Sequence, residues 1–205
     1  MKLYAFPASP RARKVMAVAA HLNLPYELQI VDLTKGEQRK PEYLKLNPNG
    51  RMPTLVDGDF VLWESNAIVQ YLAEKKGDGL WARDQRGKSD ILRWLFWDMA
   101  HWDAACATLL FEHLIKGVLG LGAADPAKVK EGEERFRQVG GVLDGHLKGR
   151  EWISGDAPTV ADYAIAAPLT YAVNCKMPLD GMGNLKSWFA RVEQLDGWKK
   201  TAPMQ

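Results

Sequence analysis

The first part of the chain alternates short apolar runs with amphipathic stretches, in an order typical of an α/β domain. Apolar residues recur on one helical face from Pro10 to about Asn23, and period-two alternation over 26–32 predicts a strand. The pair Asp57-Gly58 between two apolar runs predicts a β-hairpin. The pattern predicts the order βαβαββα: strand 3–6, helix 10–23, strand 26–32, helix 41–46, strands 54–56 and 60–62, and helix 66–76.

The pattern changes after this segment. Residues 78–87 are rich in glycine and charge and predict a linker. Beyond it, apolar residues step by three or four, which predicts helices over 88–117 and 126–148, one opening at Thr159, and one over 184–195. Thr159 and Asp162 form a capping-box pattern, for which we expect a structural and not a catalytic role. The chain therefore divides into an α/β domain (1–77), a linker (78–87) and an all-helical domain (88–205).

Composition narrows the classes of function. The 205 residues are 47% hydrophobic and carry a net charge of only +2, which favours neither nucleic acid nor an anionic membrane as a partner. The two cysteines, Cys106 and Cys175, form no CxxC pair, and the four histidines show no metal spacing, so we expect neither a disulfide framework nor a metal. Because no run approaches the ~18 apolar residues of a membrane span and no leader is evident, we expect a cytoplasmic protein without a membrane anchor.

The start of the first helix raises a chemical question. Ser9-Pro10 is a typical helix start, but three cations follow at once, namely Arg11, Arg13 and Lys14. The positive end of a helix dipole disfavours cations, so the segment is either an ordinary cap with solvated charges or a site for an anion. The βαβ–ββα order with a proline before the third strand is typical of a thioredoxin-like domain. Its redox position lacks cysteine here, so a reacting thiol would have to arrive with a ligand.

Three segments carry a resemblance to a known family: PASPRARKV, GEQRKPEYLKLNPNGRMPTLVDGDFVLWESNAIVQYLAE and GDAPTVADYAIA. With the two-domain layout, they make the whole chain resemble a cytosolic glutathione transferase, closest to the phi class and related serine-type bacterial enzymes. The resemblance implies a thioredoxin-like domain that binds glutathione as co-substrate and a helical domain that carries the electrophile pocket. It also implies a homodimer that conjugates glutathione to a small hydrophobic electrophile.

The resemblance assigns roles to individual residues. Ser9 would donate its hydroxyl to the glutathione sulfur and lower the thiol pKa, and Arg13, on the same helix face, is a candidate for electrostatic support. The peptide before Pro53 is expected to be cis. The implied glutathione-binding residues are Gln38, Arg39, Arg51, Met52, Pro53, Glu64 and Ser65. The candidates for the electrophile pocket are Trp97, His101, Trp102 and Phe111, although an aromatic stripe at helical spacing fits plain core equally well.

Two departures from the phi pattern leave alternatives open. Gln38-Arg39 stands where that pattern has a His-Lys pair, and Arg51-Met52 stands where it has Gln-Val. Other glutathione-dependent chemistry on the same fold remains an alternative: peroxide reduction, dehalogenation or isomerisation. A non-catalytic ligand-binding or assembly protein is the second alternative.

Overall fold

The computed structural model describes residues 1–77 and 79–202 and divides the chain into two compact units. The first unit contains Met1–Trp81 together with the segment from Gln194 onward, and the second contains Ala82–Glu193. This differs from the expected domain over 88–205, because the last helix joins the first unit. The expected linker over 78–87 is also shorter, since a helix already begins at Gln85. Asp78 lies outside the described residues.

The first unit has the predicted order βαβαββα. Its strands are β1 (Lys2–Ala5), β2 (Glu27–Ile30), β3 (Thr54–Asp57) and β4 (Phe60–Trp63). Its helices are α1 (Pro10–His21), α2 (Pro41–Leu44) and α3 (Ser65–Lys76), with 3-10 turns at Leu33–Lys35 and Glu37–Arg39. The segment from Gln194 adds α10 (Asp196–Lys199).

The four strands form one mixed sheet in the order β2-β1-β3-β4. β1 and β2 are parallel, whereas β3 is antiparallel to β1 and to β4. Asp57 pairs with Phe60, so the hairpin turn consists of Gly58 and Asp59, and Gly58 has a φ of 64° that suits glycine. Helices α1 and α3 pack against each other, and α10 packs on α1. This is the expected thioredoxin-like arrangement.

The second unit is helical, as predicted. Its helices are α4 (Gln85–Trp97), α5 (Asp103–Leu110), α6 (Lys116–Val118), α7 (Pro126–His146), α8 (Val160–Ala166) and α9 (Gly183–Val192), with a 3-10 turn at Ala167–Tyr171. The single helix expected over 88–117 is interrupted by two π-helical turns, Asp98–Trp102 and Phe111–Ile115. Each π turn inserts a wider hydrogen-bond ring that hydrophobic spacing does not encode.

Large aromatic side chains fill the core of the second unit. Trp102, Phe136, Tyr163 and Trp188 are each 0% exposed. The predicted capping box at the start of α8 is confirmed: Thr159 and Asp162 exchange hydrogen bonds with each other's backbone. Among the described residues, every helix is either too short or too polar to cross a membrane.

Candidate functional site

Four segments of the first unit meet at one edge of the sheet. Ala5 lies opposite Ile30 in the parallel pair, so the chain leaves β1 and β2 at the same edge. Tyr4 lies opposite Thr54, and Thr54 opposite Trp63, so β3 begins and β4 ends at that edge. The segments gathered there contain all the residues that the sequence implied for glutathione: Ser9, Gln38, Arg39, Arg51, Met52, Pro53, Glu64 and Ser65.

Ser9 occupies the N-cap position of α1 and is half-buried. Its backbone N–H donates to the carbonyl oxygen of Phe6 at 2.8 Å, and its own carbonyl oxygen accepts from Arg13 at 2.9 Å. Within the described chain, its side chain makes no capping hydrogen bond. The interpretation of Ser9 as an ordinary cap therefore lacks its defining contact, and the hydroxyl stands at the positive end of a twelve-residue helix.

Met52 and Pro53 approach the same region from β3. The peptide between them is cis, as the resemblance implies, and both residues are buried. The Met52 sulfur accepts a hydrogen bond from the backbone N–H of Phe6 at 2.9 Å. This contact joins the segment before β3 to the segment that leads from β1 to Ser9.

A buried polar network holds the residue before Met52. The carbonyl oxygen of Arg51 accepts from the Tyr43 hydroxyl at 2.6 Å and from the Asn47 amide at 2.7 Å. The hydroxyl of Thr54 lies 2.9 Å from the Tyr43 hydroxyl and 3.2 Å from the Asn47 amide nitrogen. Burial raises the pKa of Tyr43, which keeps its hydroxyl protonated as a donor. The network fixes the backbone on both sides of the cis peptide.

Glu64 and Ser65 form the start of α3. Glu64 is exposed and has a φ of 71°, a left-handed conformation that is rare for a non-glycine residue. Ser65 is only 3% exposed, and its buried hydroxyl has no hydrogen-bond partner in residues 1–77 and 79–202. Leaving such a group unpaired costs about 1–3 kcal/mol, so the start of α3 suits a polar ligand that supplies the missing partner.

Gln38 and Arg39 lie in the second 3-10 turn after β2, Glu37–Arg39. Arg39 is exposed, as is Arg51, so each can present a guanidinium to an anion. The side-chain oxygen of Gln38 is buried and unpartnered among the described residues. This edge of the sheet therefore combines two accessible cations with two unsatisfied polar atoms, those of Gln38 and Ser65.

Arg13, the candidate for electrostatic support, packs against the last helix of the first unit. Its side chain is 5% exposed, and its guanidinium carbon lies 3.9 Å from the ring centroid of Trp198. It also donates a hydrogen bond to the carbonyl oxygen of Trp198 at 3.3 Å. The cation–π contact gives Arg13 a role in the packing of α10 on α1.

The four electrophile-pocket candidates differ in exposure. His101 and Phe111 are exposed, and Trp97 is half-buried and stacks on Trp102 at a centroid distance of 5.9 Å. Trp102 is 0% exposed, and its indole N–H donates to the carbonyl oxygen of Ile165 at 2.8 Å. Trp102 is therefore a core residue, which corrects its assignment to the pocket.

Comparison with known proteins identifies the family. The sequence matches the family models described as glutathione S-transferase, N-terminal domain (residues 1–74) and glutathione S-transferase, C-terminal domain (residues 101–196). A glutathione S-transferase of Hyoscyamus muticus is 32% identical over 205 residues, which cover 98% of this chain and 96% of that protein. The chain belongs to the glutathione S-transferase family. It is an enzyme of the glutathione transferase type.

Two further relatives also match this chain over nearly its whole length. Glutathione S-transferase 3 of Zea mays is 35% identical over 211 residues, covering 98% of this chain and 92% of its own. A crystal structure of a glutathione transferase from Pseudomonas putida, with one glutathione disulfide bound per subunit, matches with a TM-score of 0.89 at 26% identity, covering 99% of this chain and 90% of its own. The transferase therefore spans nearly the full length of these relatives.

The thiols of this transferase are poorly suited to be nucleophiles. Burial raises the pKa of Cys106 well above its usual range, and nearby Asp98 and Asp103 add to the shift. Burial also raises the pKa of Cys175 to about 11. Since the thiolate is the reactive form, neither side chain supplies it near neutral pH. In the part of the chain that the structure describes, no group of three or more histidine, cysteine or acidic side chains could hold a metal ion.

Sequence reasoning missed several contacts made by residues near this edge of the sheet. Tyr43 and Asn47 hold the backbone before the cis peptide, and the turn sequence around Asn47 was the only signal for them. Lys14 is 2% exposed and donates to the side-chain oxygen of Asn66 at 2.8 Å. Because lysine is almost never fully buried, nothing in the sequence indicated this bond.

Proposed function

We propose that this transferase activates glutathione through the Ser9 hydroxyl, as a serine-type member of the family. The hydroxyl donates a hydrogen bond to the glutathione sulfur and, with the positive end of α1, favours the thiolate over the thiol. Together these effects lower the thiol pKa by about one to two units, from an ordinary value near 8.5. The proton leaves to solvent when the thiolate forms.

The thiolate then attacks an electrophilic carbon of a small hydrophobic molecule. A carbon–sulfur bond forms with the sulfur electron pair, and the leaving group departs with the electrons of the bond that breaks. If the electrophile reacts by addition, no group leaves: the π electrons of its double bond move onto the acceptor, which is then protonated. We assign the electrophile to the helical unit, with Trp97, His101 and Phe111 as its candidate contacts.

We assign the other parts of glutathione to residues at the same edge of the sheet. The α-carboxylate of the γ-glutamyl unit binds at the start of α3, where it supplies the partner that Ser65 lacks, and Glu64 faces the ammonium. The backbone of Met52, beside Pro53, pairs with the cysteinyl unit as a short β-augmentation. Arg39 binds the glycyl carboxylate, with Gln38 and Arg51 as neighbouring contacts.

The observation that carries the proposal is the convergence at this edge. A serine without a capping bond, a helix start with an unpartnered buried hydroxyl and two exposed arginines all belong to segments that meet there. A tripeptide with a central thiol and two terminal carboxylates has matching chemistry. We also infer that the protein is a cytoplasmic homodimer. Analytical ultracentrifugation, which measures mass in solution, should then give twice the mass of one chain.

The replacement Ser9→Ala tests the activation step. We expect glutathione affinity to change less than about threefold, whereas conjugation of a model electrophile at pH 7 falls by about three- to tenfold. The pH at which the rate is half-maximal should move upward by about one unit, because the positive end of α1 still favours the thiolate. Unchanged turnover and an unchanged pH profile would remove Ser9 from the mechanism.

A further inference from the structure

Lys14 is a buried cation that the conjugation chemistry does not use. It lies in α1, and its side chain is 2% exposed. Burial of an ammonium group is costly unless it is hydrogen-bonded. Its Nζ donates to the Asn66 side-chain oxygen at 2.8 Å, and this bond joins residues 52 positions apart.

The two ends of the bond belong to the two helices whose starts carry the proposed glutathione contacts. Lys14 is in the second turn of α1, the helix that begins after Ser9, and Asn66 directly follows Ser65 in the first turn of α3. The bond therefore ties the helix of the proposed thiol contact to the start of the helix that receives the γ-glutamyl carboxylate. It also places a positive charge at the positive end of α3, an arrangement that favours an anion there.

We propose that Lys14 is a positioning residue for the γ-glutamyl end of glutathione. Its bond to Asn66 holds the first turn of α3 relative to α1, so that Ser65 meets the carboxylate while Ser9 meets the sulfur. This inference rests on the proposed function. Independent support comes from Ser65, because its hydroxyl is buried and unpartnered within the described residues directly beside the Lys14–Asn66 bond.

The replacement Lys14→Met tests the inference with two thiol substrates. Glutathione and cysteinylglycine share the thiol and the glycyl carboxylate, but cysteinylglycine lacks the γ-glutamyl unit. The readout is kcat/KM for glutathione divided by kcat/KM for cysteinylglycine. We expect the variant to lower this ratio by about tenfold, mostly through a higher KM for glutathione. General loosening of the fold would lower both values together and leave the ratio unchanged, which would overturn the inference.

Two further variants complete the experiment. Asn66→Ala removes the other partner of the bond and should lower the ratio similarly. The double variant should have a ratio no lower than either single variant. If Lys14→Met does not fold, the Asn66→Ala measurement decides the question. Lys76→Met removes an exposed lysine from the end of α3 and should leave the ratio at the wild-type value. A wild-type protein with no preference for glutathione contradicts the proposed function. A wild-type preference that survives both Lys14→Met and Asn66→Ala contradicts only the role of Lys14.

Discussion

The start of α8 and the starts of α1 and α3 carry small hydroxyl residues but use them differently. At α8, the Thr159 hydroxyl accepts from the backbone N–H of Ala161 at 3.2 Å, and Asp162 accepts from the backbone N–H of Thr159 at 2.8 Å. Ser9 makes no capping bond, and the Ser65 hydroxyl has no partner, among the described residues. A hydroxyl bonded within its own helix serves stability, whereas one without such a bond is available to a ligand.

The largest effect in testing this contrast is expected for Asp162→Ala. Asp162 is 0% exposed and accepts from the Trp188 indole at 2.8 Å and from the backbone N–H of Ile153 at 3.0 Å, in addition to Thr159. Alanine leaves these buried donors without an acceptor, so the free energy of unfolding should fall by about 3–5 kcal/mol in urea denaturation. Asp162→Asn keeps a carbonyl acceptor and should lose less. A loss below about 1 kcal/mol for Asp162→Ala would show that the start of α8 is not a structural anchor.

A smaller effect separates the hydroxyls themselves. Thr159→Ala removes a cap and should lower the free energy of unfolding by about 1 kcal/mol. Ser65→Ala removes a buried hydroxyl that has no described partner, so stability should change by less than about 0.5 kcal/mol or rise. Calorimetric titration with glutathione should show the reverse order, with weaker binding only for Ser65→Ala. Equal effects of the two variants in both measurements would remove the distinction.

The smallest effect is expected at a surface ion pair, Asp57 and Lys75, that belongs to neither kind of helix start. Hydrogen bonds from Lys75 and then Tyr71 hold the pKa of Asp57 below its ordinary value of 3.8. A lowered pKa in the folded state contributes stability above pH 3.8, and this contribution disappears as the pH falls through the lowered pKa. In Asp57→Asn, the free energy of unfolding should therefore fall less steeply as the pH is lowered through the acid range. Unfolding monitored by circular dichroism at several pH values measures this. Because Lys75 is exposed and Asp57 is only half-buried, solvent weakens the pair, so the change should be slight, and a large one would contradict this interpretation.

Local patterns predicted the order of elements well, because helix and strand periodicity is a property of neighbouring residues. The order βαβαββα and the capping box at Thr159 both follow from such patterns. The two π turns do not, since they depend on backbone hydrogen bonds that a spacing of three or four leaves unchanged. The attachment of α10 to the first unit depends on contacts between residues almost the whole chain apart, which no local pattern contains.

The site shows the same division. The roles proposed for Ser9, Met52 and Ser65 come from a family resemblance that is carried by motifs at the ends of strands and helices. The packing of Arg13 and the burial of Lys14 depend on which side chains contact them, Trp198 and Asn66, and both partners are distant in sequence. Charge in a sequence shows that a cation is present, but only the fold shows whether a protein group or a ligand receives it.

The packing of α10 has a consequence for biosynthesis. A Cβ at Gly197 would lie 2.5 Å from the carbonyl oxygen of Ala17, so α10 approaches the backbone of α1 closely, and Trp198 covers Arg13. The residues that complete the packing of α1 are thus synthesised only after the whole second unit, Ala82–Glu193. The first unit has its sheet early in translation, but the packing of the helix that begins after Ser9 is completed only when this intervening segment has been made.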